Sequence, residues 1–189
     1  LYGGTAPGAA GGPRELISIN PVTGAGTLIG NTGDGGGTNH LLQGCAFVSG
    51  VLYGYDGPGG NYLSVNLTTG GVTVVNTLLP LGAGGGYAVN AANTQGFYMT
   101  SDTGNLQSVN IATGALTAGP ALSGFTQTGG RLKSATFHAG TLYAVNAVTP
   151  GGAGSNRQIV SIDTTTGVMT AVGPSLPSPL AGGIASRTR

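Results

Sequence analysis

One short phrase occurs four times in this chain of 189 residues, and it constrains the fold more than any other feature. Each copy reads Ser, Ile or Val, Asn or Asp, two variable residues, Thr and Gly, and another Thr stands three residues past the Gly. The copies span 18–24, 64–70, 108–114 and 161–167. Their glycines are 46, 44 and 53 residues apart. A fixed period near this length predicts a fold built from similar stacked units.

Each unit is predicted to be β-structure. The segments before the turns, such as 16–20, are short, rich in β-branched residues and bounded by turn residues. In the turn itself, an Asn or Asp side chain can bond backbone N–H groups two residues on, and Gly supplies the left-handed conformation that closes a hairpin. An aromatic dipeptide marks an earlier strand in each unit: Leu1-Tyr2, Leu52-Tyr53, Phe97-Tyr98 and Leu142-Tyr143. With 39 Gly, long helices are disfavoured, and each unit is predicted to be a four-stranded antiparallel meander.

A four-stranded unit with this period is typical of a propeller blade. The sequence therefore predicts an all-β, four-bladed β-propeller as a single domain over 1–189. The first repeat begins at its second strand. A segment with the pattern of the missing first strand follows the fourth repeat at 180–186 and includes Leu180, Ile184 and Ala185. We expect this C-terminal strand to complete the first blade beside Leu1 and Tyr2. The predicted blades are 180–186 plus 1–31, 44–77, 86–119 and 134–173.

Charge and hydropathy exclude several classes of protein. The six Lys and Arg residues are scattered against five Asp and Glu, so no basic patch for nucleic acid is present in the sequence. No apolar run approaches the roughly 20 residues of a membrane-spanning helix, so membrane insertion is not expected. A lone Cys45 cannot form an internal disulfide and is expected to be a small buried hydrophobe.

The polar residues do not form a recognisable catalytic or metal-binding motif. Asp163 takes the turn position that Asn holds in the other repeats, and Asp56 and Asp102 are interpreted as turn residues beside glycines, with a weak Ca²⁺ site as the alternative. One Cys with two separated histidines, His40 and His138, does not make a zinc site. The sequence thus predicts no catalytic residue, no metal and no cofactor, so enzymatic activity is not expected.

At this level the chain resembles secreted bacterial β-propeller repeat proteins, whose blades read L-Y-x(n)-L-x-S-[IV]-[ND]-x-x-T-G-x-x-T-x-[IV]-G. The match runs from Leu1 through Gly173 to the closing strand and covers nearly the whole chain. It is closer to an extracellular four-bladed family than to WD40 or Kelch repeats, because the Trp-Asp dipeptide and the Kelch double glycine are missing. The resemblance implies the propeller fold and a secreted, extracellular location, and it transfers no catalytic residue.

Two functions remain as hypotheses at the sequence level. The first is a structural protein that self-associates, because its near-zero charge gives little mutual repulsion and the closing strand can come from another copy, extending head to tail into filaments. The second is a binding module for glycan or a surface polymer. It would use the face that carries the long loops 3–13 and 147–155, where variable loops on a rigid scaffold usually bind ligands. Candidate binding residues on that face are Asn39, His40, Asp56, Asp102 and Arg157.

Overall fold

A computed structural model describes residues 1–4, 14–56, 60–77, 85–99, 104–124, 131–147 and 157–176. Every regular element in these ranges is a β-strand, and every strand pairing within the sheets is antiparallel. The fold class is all-β, a four-bladed β-propeller, as the repeat predicts. The closing segment 180–186 and most of the two long loops lie outside the described residues.

Each repeat forms one sheet whose strands are neighbours in chain order. The sheet of the first repeat has three described strands and the others have four. The strands are β1 (Tyr2–Gly4), β2 (Glu15–Ile19) and β3 (Gly26–Asn31); β4 (Leu42–Val48), β5 (Val51–Asp56), β6 (Asn61–Val65) and β7 (Val72–Thr77); β8 (Gly86–Val89), β9 (Gly96–Met99), β10 (Asn105–Val109) and β11 (Leu116–Ala121); β12 (Arg131–His138), β13 (Thr141–Ala147), β14 (Arg157–Ile162) and β15 (Met169–Leu176).

Contacts divide the chain into two compact units, Leu1–Pro80 and Leu81–Arg189, each with its own apolar core. In the first unit, the buried cluster comes from the middle strands of both sheets and the start of β7: Leu16, Leu52, Leu63, Val65 and Val72. The second unit has a larger cluster that includes Met99, Leu106, Leu142, Val160 and Ile162. Burial of these side chains between sheets is the main source of stability expected for such small units.

In the third repeat, the register differs from the one that the aromatic dipeptides predict. The repeat Ser pairs with Tyr2, Tyr53 and Tyr143 in the other blades, but Ser108 pairs with Phe97. The residues equivalent to Leu52-Tyr53 are therefore Gly96-Phe97, not Phe97-Tyr98. A Cβ at Gly96 would lie 2.9 Å from the Tyr87 ring, so glycine leaves room for that buried ring.

The hairpin turns confirm the predicted Asn/Asp-x-x-Thr-Gly chemistry. In the second repeat, Asn66 Oδ1 accepts hydrogen bonds from Thr68 N at 2.8 Å and Thr69 N at 3.1 Å, and Gly70 N donates to Asn66 O at 2.9 Å. The Thr69 hydroxyl in turn accepts from Gly71 N at 3.3 Å. The same bonds recur at 20–25, 110–115 and 163–168. Each repeated residue thus satisfies a backbone group that the turn would leave unpaired.

The turn glycine also allows two backbones to meet within the first unit. Gly70 has a φ of +79° and packs against the end of β3, where a Cβ on Gly70 would lie 2.5 Å from the Gly30 carbonyl oxygen. Close by, Val72 N donates to Gly33 O at 3.0 Å. We call this arrangement the turn-to-strand contact. Gly24 has a similar φ of +73°, but a Cβ on Gly24 would have no atom within 4 Å.

These two glycines give a matched test of the contact. Gly24→Ala is expected to cost about 1 kcal/mol, the strain of a side chain in the left-handed region. Gly70→Ala carries the same strain and must also push β3 away, so we expect a total loss of about 3 kcal/mol. Urea denaturation of both variants measures the difference, and equal losses would contradict the contact.

Acid should weaken one turn more than the other three. Hydrogen bonds from Thr165 and Thr166 backbone N–H groups lower the pKa of Asp163. Its contribution is therefore complete above the ordinary Asp pKa of about 3.9 and is lost as the pH falls through the lower folded-state pKa. When the pH falls below about 4, we expect the Asp163→Asn variant to lose less stability than the parent chain.

The reciprocal variant is the control for this prediction. Asn110→Asp places a carboxylate in the equivalent turn of the third repeat, where Asn110 Oδ1 accepts the same two bonds. It should add acid sensitivity that the parent chain lacks, measured as the melting temperature between pH 7 and pH 3. Identical acid profiles for all three proteins would show that the turn carboxylate contributes nothing.

Candidate functional site

The connection from β3 to β4 is held in a closed loop by the Thr32 side chain and backbone. Thr32 N donates to Arg14 O at 2.9 Å, and His40 N donates to Thr32 O at 2.9 Å. The buried Thr32 hydroxyl lies 2.6 Å from His40 O and 3.1 Å from Arg14 O. These bonds fix the far end of the loop, where His40 stands, over the sheet of the second repeat.

His40 lies between two carboxylates in the buried interior of this loop. Its side chain is 2% exposed, and its Nδ1 lies 2.7 Å from Oδ2 of Asp56, the last residue of β5. Its Nε2 lies 3.5 Å from Oδ2 of Asp34 in the same loop. We call these three residues the Asp34–His40–Asp56 cluster. It is the candidate functional site because it gathers titratable groups that are far apart in sequence.

The two carboxylates have different surroundings. The Gly36 N–H bond at 2.8 Å does most to lower the pKa of Asp34, with Thr38 N–H and His40 adding to it, so Asp34 is ionised at neutral pH. Asp56 is buried, and among the described residues its Oδ1 has no hydrogen-bond partner. A buried carboxylate needs compensation by charge or hydrogen bonds, and His40 supplies it to Oδ2.

The arrangement does not activate a nucleophile. A catalytic triad places the second imidazole nitrogen against a Ser or Cys, whereas Nε2 of His40 faces the Asp34 carboxylate. The neighbouring hydroxyl of Thr32 is bonded to backbone carbonyl groups. In the described part of the chain, no group of three His, Cys, Asp or Glu side chains is arranged to hold a metal ion. The chemistry supports a clasp that ties the β3–β4 connection to β5.

The other predicted binding residues do not join this cluster in the described ranges. Asn39 is exposed, and its carbonyl accepts a 2.8 Å hydrogen bond from Arg14 Nη1. Arg157 begins β14, but its side chain lies outside the described residues, as does Asp102. Among the closure residues, Leu180, Ile184 and Ala185 are also outside them. Leu1 and Tyr2 are described and exposed.

Two sequence interpretations change, and one residue of the cluster was missed. The Asp56 side chain does not close a turn as expected, because its carboxylate bonds His40 while its backbone carbonyl accepts from Gly60 N at 2.8 Å.

Cys45 is exposed, not buried, because it shares the open side of β4 with Phe47. The surrounding protein still desolvates the thiol and raises its pKa, which disfavours the reactive thiolate. Asp34 is not among the candidate residues chosen from the sequence. Its place in a Gly-rich turn six residues before His40 is a sequence feature that could have indicated it.

Comparison with solved structures identifies the same fold. A protein of unknown function from Bacteroides thetaiotaomicron is 16% identical with a TM-score of 0.62, over 93% of this chain and 49% of that one. A chain of a nidogen/laminin complex is 17% identical with a TM-score of 0.59, over 91% and 62%. An α-L-arabinofuranosidase from Clostridium thermocellum is 15% identical with a TM-score of 0.58, over 89% and 64%.

These likenesses, at such low identity, show the shared propeller fold and transfer no activity. The chain spans from about half to two thirds of the length of those three chains. No protein-family model matches the sequence, and no curated protein matches it in sequence. Within the described ranges, no helix is long and apolar enough to cross a membrane.

The clasp predicts an asymmetric mutational response. His40→Leu leaves the buried Asp56 carboxylate without its partner, and we expect a loss of about 3 kcal/mol. The double variant His40→Leu with Asp56→Leu removes the stranded charge and should recover part of that loss. Asn39→Ala, which alters an exposed side chain beside the cluster, is the control and should stay within about 0.5 kcal/mol. Urea denaturation gives all three values, and a double variant less stable than the single one would contradict the clasp.

Proposed function

We propose that this protein is a non-enzymatic, extracellular structural propeller that self-associates head to tail, one copy completing the first blade of the next. The observation that carries the proposal is the match of 180–186 to 42–48, the strand that covers Leu52 in the second blade, and the exposure of Leu1 agrees with it. Leu1 is 67% exposed, whereas the equivalent residues Leu52 and Leu142 are 2% and 0% exposed. In those blades a first strand covers the leucine, with Phe47 opposite Leu52 and Phe137 opposite Leu142.

The first blade also offers an edge for another strand. β5, β9 and β13 pair on both sides, while β1 pairs with β2 alone among the described residues. Leu1 extends this pairing through bonds to Ile19 of 3.1 Å and 2.7 Å. A strand edge with unpaired N–H and C=O groups is a template for another strand, and main-chain hydrogen bonds supply much of the affinity in such additions.

The outer edges of the four sheets are better guarded than the edge of β1. Each outer strand, β3, β7, β11 and β15, has an irregular register with its neighbour, and such bulges bend an edge away from further pairing. The β1–β2 pairing has no such shift. The outer strands contain no charged residue, and the net charge is +1, so electrostatic repulsion between copies is weak. The regular register of β1 with β2 favours association at β1, and the low charge leaves little repulsion to oppose it.

The sequence of 180–186 fits the incoming strand. Leu-Ala-Gly-Gly-Ile-Ala-Ser aligns with 42–48 of the second repeat, where Ala46 pairs with Tyr53 and Phe47 with Leu52. By that register Ile184 falls opposite Tyr2 and Ala185 opposite Leu1. An apolar strand at this position would bury Leu1, which apolar burial favours.

The absence of enzymatic activity is part of the same proposal. The Asp34–His40–Asp56 cluster uses its titratable groups on one another, and its imidazole is 2% exposed. An extracellular location is supported by the blade pattern described above. A glycan-binding module does not require head-to-tail growth, so growth with concentration is the property that favours the structural function.

Sedimentation velocity of the full chain over a wide concentration range tests this function. We expect species that grow with concentration, and Ile184→Lys should reduce them to single copies because it places a charge against Leu1 and Tyr2. Val51→Lys adds the same charge at an exposed position on β5 and should leave the association unchanged. A chain that sediments as a monomer at every concentration would overturn the proposal.

A peptide with the sequence of 180–186 gives a second measurement. Added in excess, it should cap the β1 edge and shorten the assemblies, and a peptide carrying Lys at the Ile184 position should not. Electron microscopy of the same samples should show filaments without the peptide and short particles with it. Assemblies unaffected by either peptide would place the association elsewhere on the molecule.

A further inference from the structure

The turn of the second blade carries an Asn-Leu-Thr sequence at 66–68, the only place in the full sequence where Ser or Thr stands two residues after Asn. In exported proteins, Asn-x-Thr with x other than Pro is the acceptor sequence of N-linked glycosylation, and it is used in surface loops. The equivalent turns lack it, because they read Asn-Pro-Val at 20–22, Asn-Ile-Ala at 110–112 and Asp-Thr-Thr at 163–165. The motif therefore belongs to one blade and is not a by-product of the repeat.

The fold of this turn separates the three residues of the motif. Asn66 and Thr68 are exposed, whereas Leu67 between them is half-buried and packs against the core cluster of the first unit. The apolar middle residue thus anchors the turn, and the two polar residues that define the acceptor sequence lie on the surface. A surface turn is the structural setting that the motif requires.

The turn uses the oxygen of the Asn66 side-chain amide and leaves its nitrogen free. Asn66 Oδ1 accepts hydrogen bonds from Thr68 N at 2.8 Å and Thr69 N at 3.1 Å. Among the described residues, no group is bonded to Asn66 Nδ2. A sugar joined to Nδ2 replaces one of its two hydrogens and leaves both lone pairs of Oδ1 in place. Modification is therefore compatible with the bonds that hold the turn.

We infer that Asn66 is an N-glycosylation site and that its oligosaccharide extends from the turn of the second blade. In the reaction, Asn66 Nδ2 forms a bond to the anomeric carbon of an oligosaccharide carried on a polyprenyl diphosphate. The bond between that carbon and the diphosphate oxygen breaks, the lipid diphosphate leaves, and the amide nitrogen loses one proton. The product is bulky and solubilising, which suits a chain whose net charge is +1.

Peptide mass spectrometry of the chain secreted by the cells that naturally make it tests the site. We expect a sugar mass on the peptide that contains Asn66, and fragmentation should place it on that residue. Thr68→Ala, made in the same cells, keeps the backbone bond from residue 68 to Asn66 Oδ1 and should lose the sugar completely, while Thr68→Ser should retain it. A secreted parent chain with unmodified Asn66, or a sugar that remains in Thr68→Ala, would overturn the inference.

The third blade offers a matched variant that gains a site. Ala112→Thr creates Asn-x-Thr at 110–112, where Asn110 and Ala112 are exposed and Ile111 is buried. Asn110 Oδ1 accepts the same two backbone bonds as Asn66 Oδ1, so the new motif has the same local geometry. We expect a second sugar, on Asn110. Modification of Asn66 alone in this variant would overturn the argument that the turn geometry presents the motif.

This inference rests on the extracellular location in the proposed function, and the two can fail separately. A chain recovered from the medium with unmodified Asn66 overturns the glycan site and leaves the location standing. A chain found only inside the cells overturns both the location and the site. Self-association is measured independently by sedimentation, so a sugar on Asn66 supports the site and the location whether or not the chain assembles.

Discussion

The bond from an Asn or Asp side chain to the backbone of its own turn is the interaction on which the rest of this structure depends. Asn20, Asn66, Asn110 and Asp163 each accept two backbone hydrogen bonds of 2.8–3.3 Å. These bonds fix where the third strand of a blade ends and the fourth begins. Because hairpin register follows the turn, the turn also decides which side chains of the two strands enter the core.

The same turns explain how blades pack without charged contacts. At Gly70 and Gly167, the missing side chain lets a turn approach the backbone of the preceding blade's outer strand closely enough for hydrogen bonding. Glycine is needed twice over at these positions, for its positive φ and for the close approach. At these two contacts, main-chain hydrogen bonds hold neighbouring blades together without charged side chains.

Much of the fold was predictable because its signals are local. Strand, turn and blade number follow from residues within a repeat of about 45 positions, and the described strands agree with that prediction. Local patterns fail where packing decides. The register of β9 is offset by one residue, which places Gly96 beside the Tyr87 ring, and Cys45 is exposed because of the side of β4 on which it falls.

The sequence alone determined the repeated turn, the antiparallel blades and the propeller class, because the turn depends on residues a few positions apart and each blade on one repeat of about 45 positions. Only the tertiary structure decided that His40 joins Asp34 and Asp56, since Asp56 is 16 residues away and reaches His40 through the direction of β5. It also revealed that Leu1 is exposed where Leu52 and Leu142 are covered. The exposure of a residue depends on the elements that pack against it, and the sequence of one repeat does not show which elements those are.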